Sequence, residues 1–114
     1  MISIGGENLI DLVSGEAAAG GLPQYVANPG GSPFNVAMAS GRQGQEVAYL
    51  TPVSEDALGQ LLADRLLESG VTLAARRVPQ PTSLAIVSIN DGIPSYAFHR
   101  NGTAERQVLS LIHI

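Results

Sequence analysis

The sequence predicts an α/β fold in which a parallel sheet with crossover helices carries a separate small β-sheet. Three observations predict it. Strand-like and helix-like stretches alternate between residues 1 and 78, and such alternation implies parallel strands joined by crossover helices. Asn90-Asp91-Gly92, set between two alternating runs, is a strong hairpin turn. Short extended pieces before residue 30 do not fit the parallel order, which assigns them with the hairpin to the second sheet.

The elements follow in order. Residues 1–4 read as a buried strand ending at Gly5-Gly6, and 9–13 as a short extended piece with Asp11 as its polar interruption. Residues 14–23 form a Gly/Ala/Pro-rich loop, and 24–28 another short strand before Pro29. A helix over 33–42 has Ser32 as its expected cap and Pro33 in its first position, where no backbone donor is needed. Its apolar face includes Phe34, Val36, Ala37 and Met38, and it stops near Gly44. Residues 47–53 are a strand with Pro52 near its end. Leu58, Leu61, Leu62, Arg65 and Leu66 recur at helical spacing between an N-cap at Asp56 and a stop at Gly70. Residues 71–78 return as a strand, with Arg76-Arg77 a solvated strand end. The hairpin strands are 83–89 and 95–100.

Bulk properties narrow the chemistry. A chain of 114 residues with 45% hydrophobic and 14% charged content reads as one soluble domain. Such a chain can bury roughly two thirds of its unfolded surface. A net charge of −4 without any basic run argues against nucleic acid as a partner. No apolar stretch reaches the length of a bilayer span, and no charged leader precedes the first strand, so no membrane partner and a cytoplasmic location are expected. Without cysteine there is no thiol nucleophile, disulfide or thiolate metal site. His99 and His113 lack metal-ligand spacing, and the absence of lysine excludes a P-loop.

The stretch Gly30-Gly31-Ser32-Pro33-Phe34-Asn35-Val36-Ala37 carries the strongest signal. Taken alone, the two glycines are either a plain loop-to-helix junction or a place where a small polar ligand meets bare backbone. Asn35 offers a donor and an acceptor together, which suits a sugar hydroxyl. With Gly6-Glu7-Asn8-Leu9-Ile10-Asp11 upstream, this stretch resembles the first signature of the ribokinase-like (PfkB-type) carbohydrate kinases, and within them the fructokinases. The resemblance implies the N-terminal part of a three-layer α/β/α sandwich over residues 1–108, with a small β-sheet lid made of 9–13, 24–28 and 83–100. Ser54-Glu55-Asp56 stands where the family usually has Gly-Asp-Asp or Gly-Glu-Asp, a departure that touches only capping.

The resemblance also assigns sugar contacts. Asp11, among Leu9, Ile10, Leu12 and Val13, is by local sequence either a solvent-facing carboxylate on an edge strand or a two-oxygen acceptor for adjacent hydroxyls. The family match points to the second, with Gly30, Gly31 and Asn35 beside it, while Asn8 is left as a local hydrogen-bonding residue. Alternation puts Tyr96, Phe98 and Arg100 on one face of the hairpin and Ala97 and His99 on the other. An aromatic ring beside a guanidinium suits a sugar, the ring covering its C–H face and the arginine donating to its oxygens. Related kinases of keto-deoxy sugar acids often show Tyr-x-Arg here. Phe98 in place of that tyrosine favours a neutral ketose, and His99 reads as an ordinary residue.

The expected function is therefore the sugar-binding part of an ATP-dependent sugar kinase, most like a fructokinase. ATP and Mg²⁺ would be bound mainly by a following part that also supplies the catalytic aspartate of a Gly-x-Gly-Asp motif. Residues 109–114 resemble a translated sequencing adapter and read as a non-native tail. Alternatives are a ribose, nucleoside or 2-keto-3-deoxygluconate kinase, or a non-catalytic sugar-binding or dimerisation module. The resemblance further implies a homodimer through the lid, and the 114-residue chain alone is expected to be inactive.

Overall fold

The structure, a computed structural model, describes residues 1–15 and 19–107. The 109–114 tail expectation and part of the 14–23 loop lie outside the described residues. Strand β1 (Ile2–Ile4), β4 (Val47–Tyr49) and β6 (Thr72–Leu73) form a parallel sheet in that spatial order. Helix α1 (Ser32–Arg42) leads into β4 and helix α2 (Ala57–Glu68) leads into β6. Both crossovers step the same way along the sheet, from β1 to β4 to β6, and the two helices touch each other and pack into one core with β4. This is one helical layer and the central sheet of the expected three-layer sandwich.

The core lies between those layers. Val47 and Tyr49 of β4 meet Phe34 and Ala37 of α1 and Leu62, Ala63 and Leu66 of α2, all buried. Phe34 and Tyr49 pack edge to face with ring centres 6.3 Å apart. Helix α2 starts as its sequence predicts: Asp56 caps it, accepting from the Gly59 N–H at 2.7 Å. No helix among the described residues is long and apolar enough to cross a membrane.

The second sheet gathers the segments expected to form the lid. Its order is β3 (Tyr25–Gly30), β2 (Leu9–Ser14), β8 (Leu84–Asn90), β9 (Ile93–His99). β2 pairs antiparallel with β3 and parallel with β8, and the β8–β9 hairpin closes the edge. Asp91 and Gly92, at φ 52° and 76°, make the two-residue turn between them.

Three local expectations are corrected. Ser32 is the first helical residue rather than the cap. The cap is Gly31, whose carbonyl accepts the first helical bond from the Asn35 N–H at 3.0 Å, and no side chain caps this end. The expected strand over 47–53 breaks into β4 and β5 (Val53–Ser54), and the one over 71–78 into β6 and β7 (Arg77–Val78). β5 and β7 pair with each other in a third, two-stranded sheet, so each run is divided between two partners. Gly30 belongs to the end of β3 rather than to a loop.

Candidate functional site

Pairing in the lid fixes which side chains share a face. Asn28, Asp11, Ala85 and Phe98 form one continuous row across all four strands. Val26, Val13, Val87 and Tyr96 form the next row on the same face. The opposite face of β2 points inward, with Ile10 fully buried in the core and Leu12 packed against it. Asp11 therefore faces away from the apolar core, on a surface it shares with two aromatic rings. Tyr96 and Phe98 stack with centres 6.1 Å apart, and both are exposed. The buried methyl of Ala85 separates Asp11 from Phe98, which stand two strands, about 10 Å, apart. That is room for one small ring between an acceptor and an apolar wall.

Gly30 and Gly31 complete this edge. A Cβ on Gly30 would stand 2.5 Å from Asp11 Oδ2, so only glycine leaves the carboxylate its place. Gly31 has φ +101°, and a Cβ there would approach the Glu7 carbonyl oxygen to 2.8 Å. Burial, then the neighbouring Glu7 charge, raises the Asp11 carboxyl above its ordinary value. Asn35 stands apart from the row, exposed in the first turn of α1.

Arg100 lies one residue beyond β9 and is held by two carboxylates. Its Nε donates to Glu105 Oε1 at 2.8 Å, and its Nη2 pairs with Glu7 Oε2 at 3.1 Å. The Glu105 bond and both negative charges raise the guanidinium pKa against the cost of burial. Glu105 is buried and also accepts from the Asn8 N–H at 2.9 Å and the Ser83 hydroxyl at 2.7 Å. Thr103 Oγ1 adjoins Ser83 and donates to the Arg100 carbonyl. The Asn8 side chain donates to Tyr49 Oη and to the Pro52 carbonyl. Burial pushes the Tyr49 phenol up to about 12, so it remains a neutral donor, to the Glu7 carbonyl at 3.2 Å. Among the described residues no buried side-chain N or O atom lacks a partner.

The structure thus brings Asp11, Gly30 and Phe98 onto one face, with Gly31 next in chain and Arg100 at the lid root. Asn8 serves as a structural tie. Sequence reasoning missed Glu105, Ser83 and Thr103 and took Glu7 only as part of a motif. An open cavity of about 420 Å³ at the lid root is lined by Leu84, Phe98, His99, Arg100 and Thr103, among others. His99 reaches it from the opposite face of β9, opposite Leu84. Arg77 is less free than a solvated strand end, since its Nε and Nη2 donate to the Ser54 carbonyl at 2.9 and 2.7 Å. Among the described residues no cluster of three or more acidic or histidine side chains is placed to hold a metal ion.

The chain matches the pfkB family carbohydrate kinase model over residues 4–112. It is 35% identical over 111 residues to the fructokinase of Rhizobium leguminosarum bv. trifolii, covering 95% of this chain and 33% of that protein. Against probable fructokinase-4 of Arabidopsis thaliana it is 36% identical over 106 residues, with 88% and 32% covered. The crystal structure of Xylella fastidiosa fructokinase with bound ATP superposes with a TM-score of 0.83 at 31% identity, covering 93% of this chain and 34% of that one. The 2-dehydro-3-deoxygluconokinase of Thermotoga maritima shares the fold at a TM-score of 0.77 and 16% identity, with 95% and 34% covered. The chain spans about a third of the length of these relatives. With its lid sheet, its Gly30-Gly31 junction and a family match over nearly its whole length, the chain belongs to the pfkB family of carbohydrate kinases.

Proposed function

We propose that this chain is the sugar-binding N-terminal part of an ATP-dependent sugar kinase acting on a neutral ketose, fructose being the best candidate. The observation that carries the reading is the shared lid face, on which Asp11 and Phe98 flank buried Ala85 and Gly30 keeps Asp11 clear. There the Asp11 carboxylate accepts from adjacent hydroxyls, and Phe98 covers the C–H face of the ring. Gly30 leaves room for the Asp11 carboxylate and Gly31 for the Glu7 carbonyl, so both shape the sugar's edge of the site, and Asn35 adds a donor and an acceptor from α1. Arg100 supplies a donor at the lid root, one residue beyond β9. When bound, ATP supplies the phosphoryl group for a sugar hydroxyl; ATP, Mg²⁺ and the general base belong to the remainder of the kinase. β9 is an edge strand with Ile93, Tyr96 and Phe98 exposed, which supports pairing of the lid with a second copy.

The decisive variant is Asp11→Asn in the full-length kinase. The amide turns one acceptor into a donor and removes the charge, costing about 1.5–3 kcal/mol of sugar binding in the transition state, or roughly 10- to 150-fold in kcat/KM. ATP affinity stays near wild type. Because folding raises the Asp11 carboxyl, its ionised form opposes the fold once pH exceeds the ordinary value of 3.8. Thermal stability at neutral pH therefore rises slightly in the variant. Unchanged sugar kinetics would show Asp11 to be a plain surface carboxylate.

A further inference from the structure

We propose that Glu105 and Glu7, by pairing Arg100, set the substrate class: they keep the guanidinium available to a neutral hydroxyl and deny it to a sugar carboxylate. The inference rests on the sugar-kinase reading above and adds the residues that choose between neutral sugars and sugar acids.

An arginine at the root of a sugar-binding sheet is, by itself, an invitation to an acid. Its planar fork matches a carboxylate bidentately. Here the fork is already engaged. Glu105 holds Nε at 2.8 Å and Glu7 holds Nη2 at 3.1 Å. The Nε–Nη2 edge is thus shared between two protein carboxylates, and a third carboxylate would have to displace one of them. A hydroxyl does not face that demand. Among the described residues Nη1 takes part in no hydrogen bond, and it can donate to a neutral oxygen while both ion pairs persist.

The two carboxylates differ in how firmly they hold. The Glu105 side chain is 1% exposed and its oxygens also accept from the Asn8 N–H and the Ser83 hydroxyl. A charge buried with that many donors cannot swing away to admit a competitor. The Glu7 side chain is 35% exposed and holds Arg100 from the solvent side. Glu105 is therefore the fixed clamp and Glu7 the outer guard. Asp11 adds a further negative charge within electrostatic reach of Glu7. Three carboxylates stand against one guanidinium, so the site is net negative before any ligand arrives. An anionic sugar meets repulsion that water screens only partly at such range, whereas a neutral sugar meets none.

The test uses the full-length kinase and two probes, fructose and 2-dehydro-3-deoxygluconate, measured as the ratio of their kcat/KM values. Wild type is expected to favour fructose strongly. Glu105→Gln, which removes the clamp's charge and keeps its shape, should raise the acid-to-fructose ratio roughly tenfold or more. Glu7→Gln, on a side chain with no other hydrogen bond or ion pair among the described residues, should raise it several-fold and keeps the test valid if the buried variant does not fold. Adding Arg100→Gln to Glu7→Gln should abolish the gain, because the acid's new partner is lost. A simple loss of structural support would lower both substrates together and leave the ratio unmoved. Ratios unchanged in Glu7→Gln, or a wild type that uses the acid as readily as fructose, overturn the inference. The sugar-kinase reading fails on a separate result, the lack of wild-type turnover with any neutral sugar.

Discussion

Strands β4 and β9 are both apolar and aromatic, yet they live in opposite surroundings. All three residues of β4 are buried between helices α1 and α2 and its neighbouring strands, while every residue of β9 is exposed. Val47 and Tyr49 gain their stability from dispersion and desolvation in a closed core. Tyr96 and Phe98 pack mainly on each other and hang from a hydrogen-bonded ladder to β8. What fixes the root of the hairpin is polar: Glu105, Arg100, Ser83 and Asn8 tie it to the β1–β2 connection. The difference separates a closed apolar core from a sheet whose apolar outer strand is left exposed. Regions that bind ligands are commonly drawn from the low-stability end of a fold.

The largest expected effect tests the scaffold side. Phe34→Ala removes a ring that is fully buried against Tyr49, at a cost of about 3–5 kcal/mol. Native-state hydrogen exchange in the full-length kinase should show β4 amides losing protection by about that amount. β9 amides, already opening at lower free energy, should lose much less. Wild-type β9 amides protected as strongly as those of β4 would break the comparison outright.

What could be read from the sequence divides along the same line. The Asp56 cap, the helix periodicity of Leu58, Leu62 and Leu66, and the Asp91-Gly92 turn are decided by residues a few positions apart, and the structure bears them out. That Tyr96 and Phe98 share a face was legible because period-two alternation survives any sheet order, whereas the row that joins Phe98 to Ala85 and Asp11 is set by strand pairing. The polar root was not legible. Asn8 and Glu105 meet across 97 residues, and nothing near Glu105 distinguishes it from a solvated carboxylate. The break between β4 and β5 is likewise set by distant partners, β6 for one and β7 for the other.

A smaller effect concerns the joint between the two regions. Asp56 caps α2 and also accepts from the Thr82 hydroxyl at 2.6 Å and the Thr82 N–H at 2.9 Å, just before β8. Asp56→Ala should cost about 1–3 kcal/mol, since a cap is lost and donors on both sides are left without their acceptor. Burial pushes the Asp56 carboxyl up, but bonds from Thr82, Gly59 and Ser54 outweigh it and hold the pKa below its ordinary value of 3.8. The carboxylate's contribution is therefore complete above that value and is lost as pH falls through the lower folded one. Denaturation titrations should show the wild type and the variant converging at strongly acid pH. A gap that stays constant down to the acid transition would mean that the variant acts through helix propensity and not through this carboxylate.

The smallest effect on stability belongs to Phe98→Ala, and it sharpens the comparison most. Phe98 is 58% exposed, so its ring contributes little to the fold beyond its stacking on Tyr96. The change in unfolding free energy should stay within about 0.5–1 kcal/mol, the scale of an exposed aromatic pair. Its position is another matter. The ring ends the row that contains Asp11 and Ala85, on the face proposed to receive the sugar. Truncation there opens the apolar wall and should raise the KM for fructose several-fold while leaving the KM for ATP near wild type. A core residue behaves in the opposite way, losing stability first and activity only as the folded population falls. Measuring both quantities on Phe98→Ala and Phe34→Ala in parallel separates the two kinds of aromatic residue. If Phe98→Ala destabilises the protein as much as Phe34→Ala does, β9 belongs to the scaffold. If it moves neither stability nor sugar KM, Phe98 takes no part in holding the sugar.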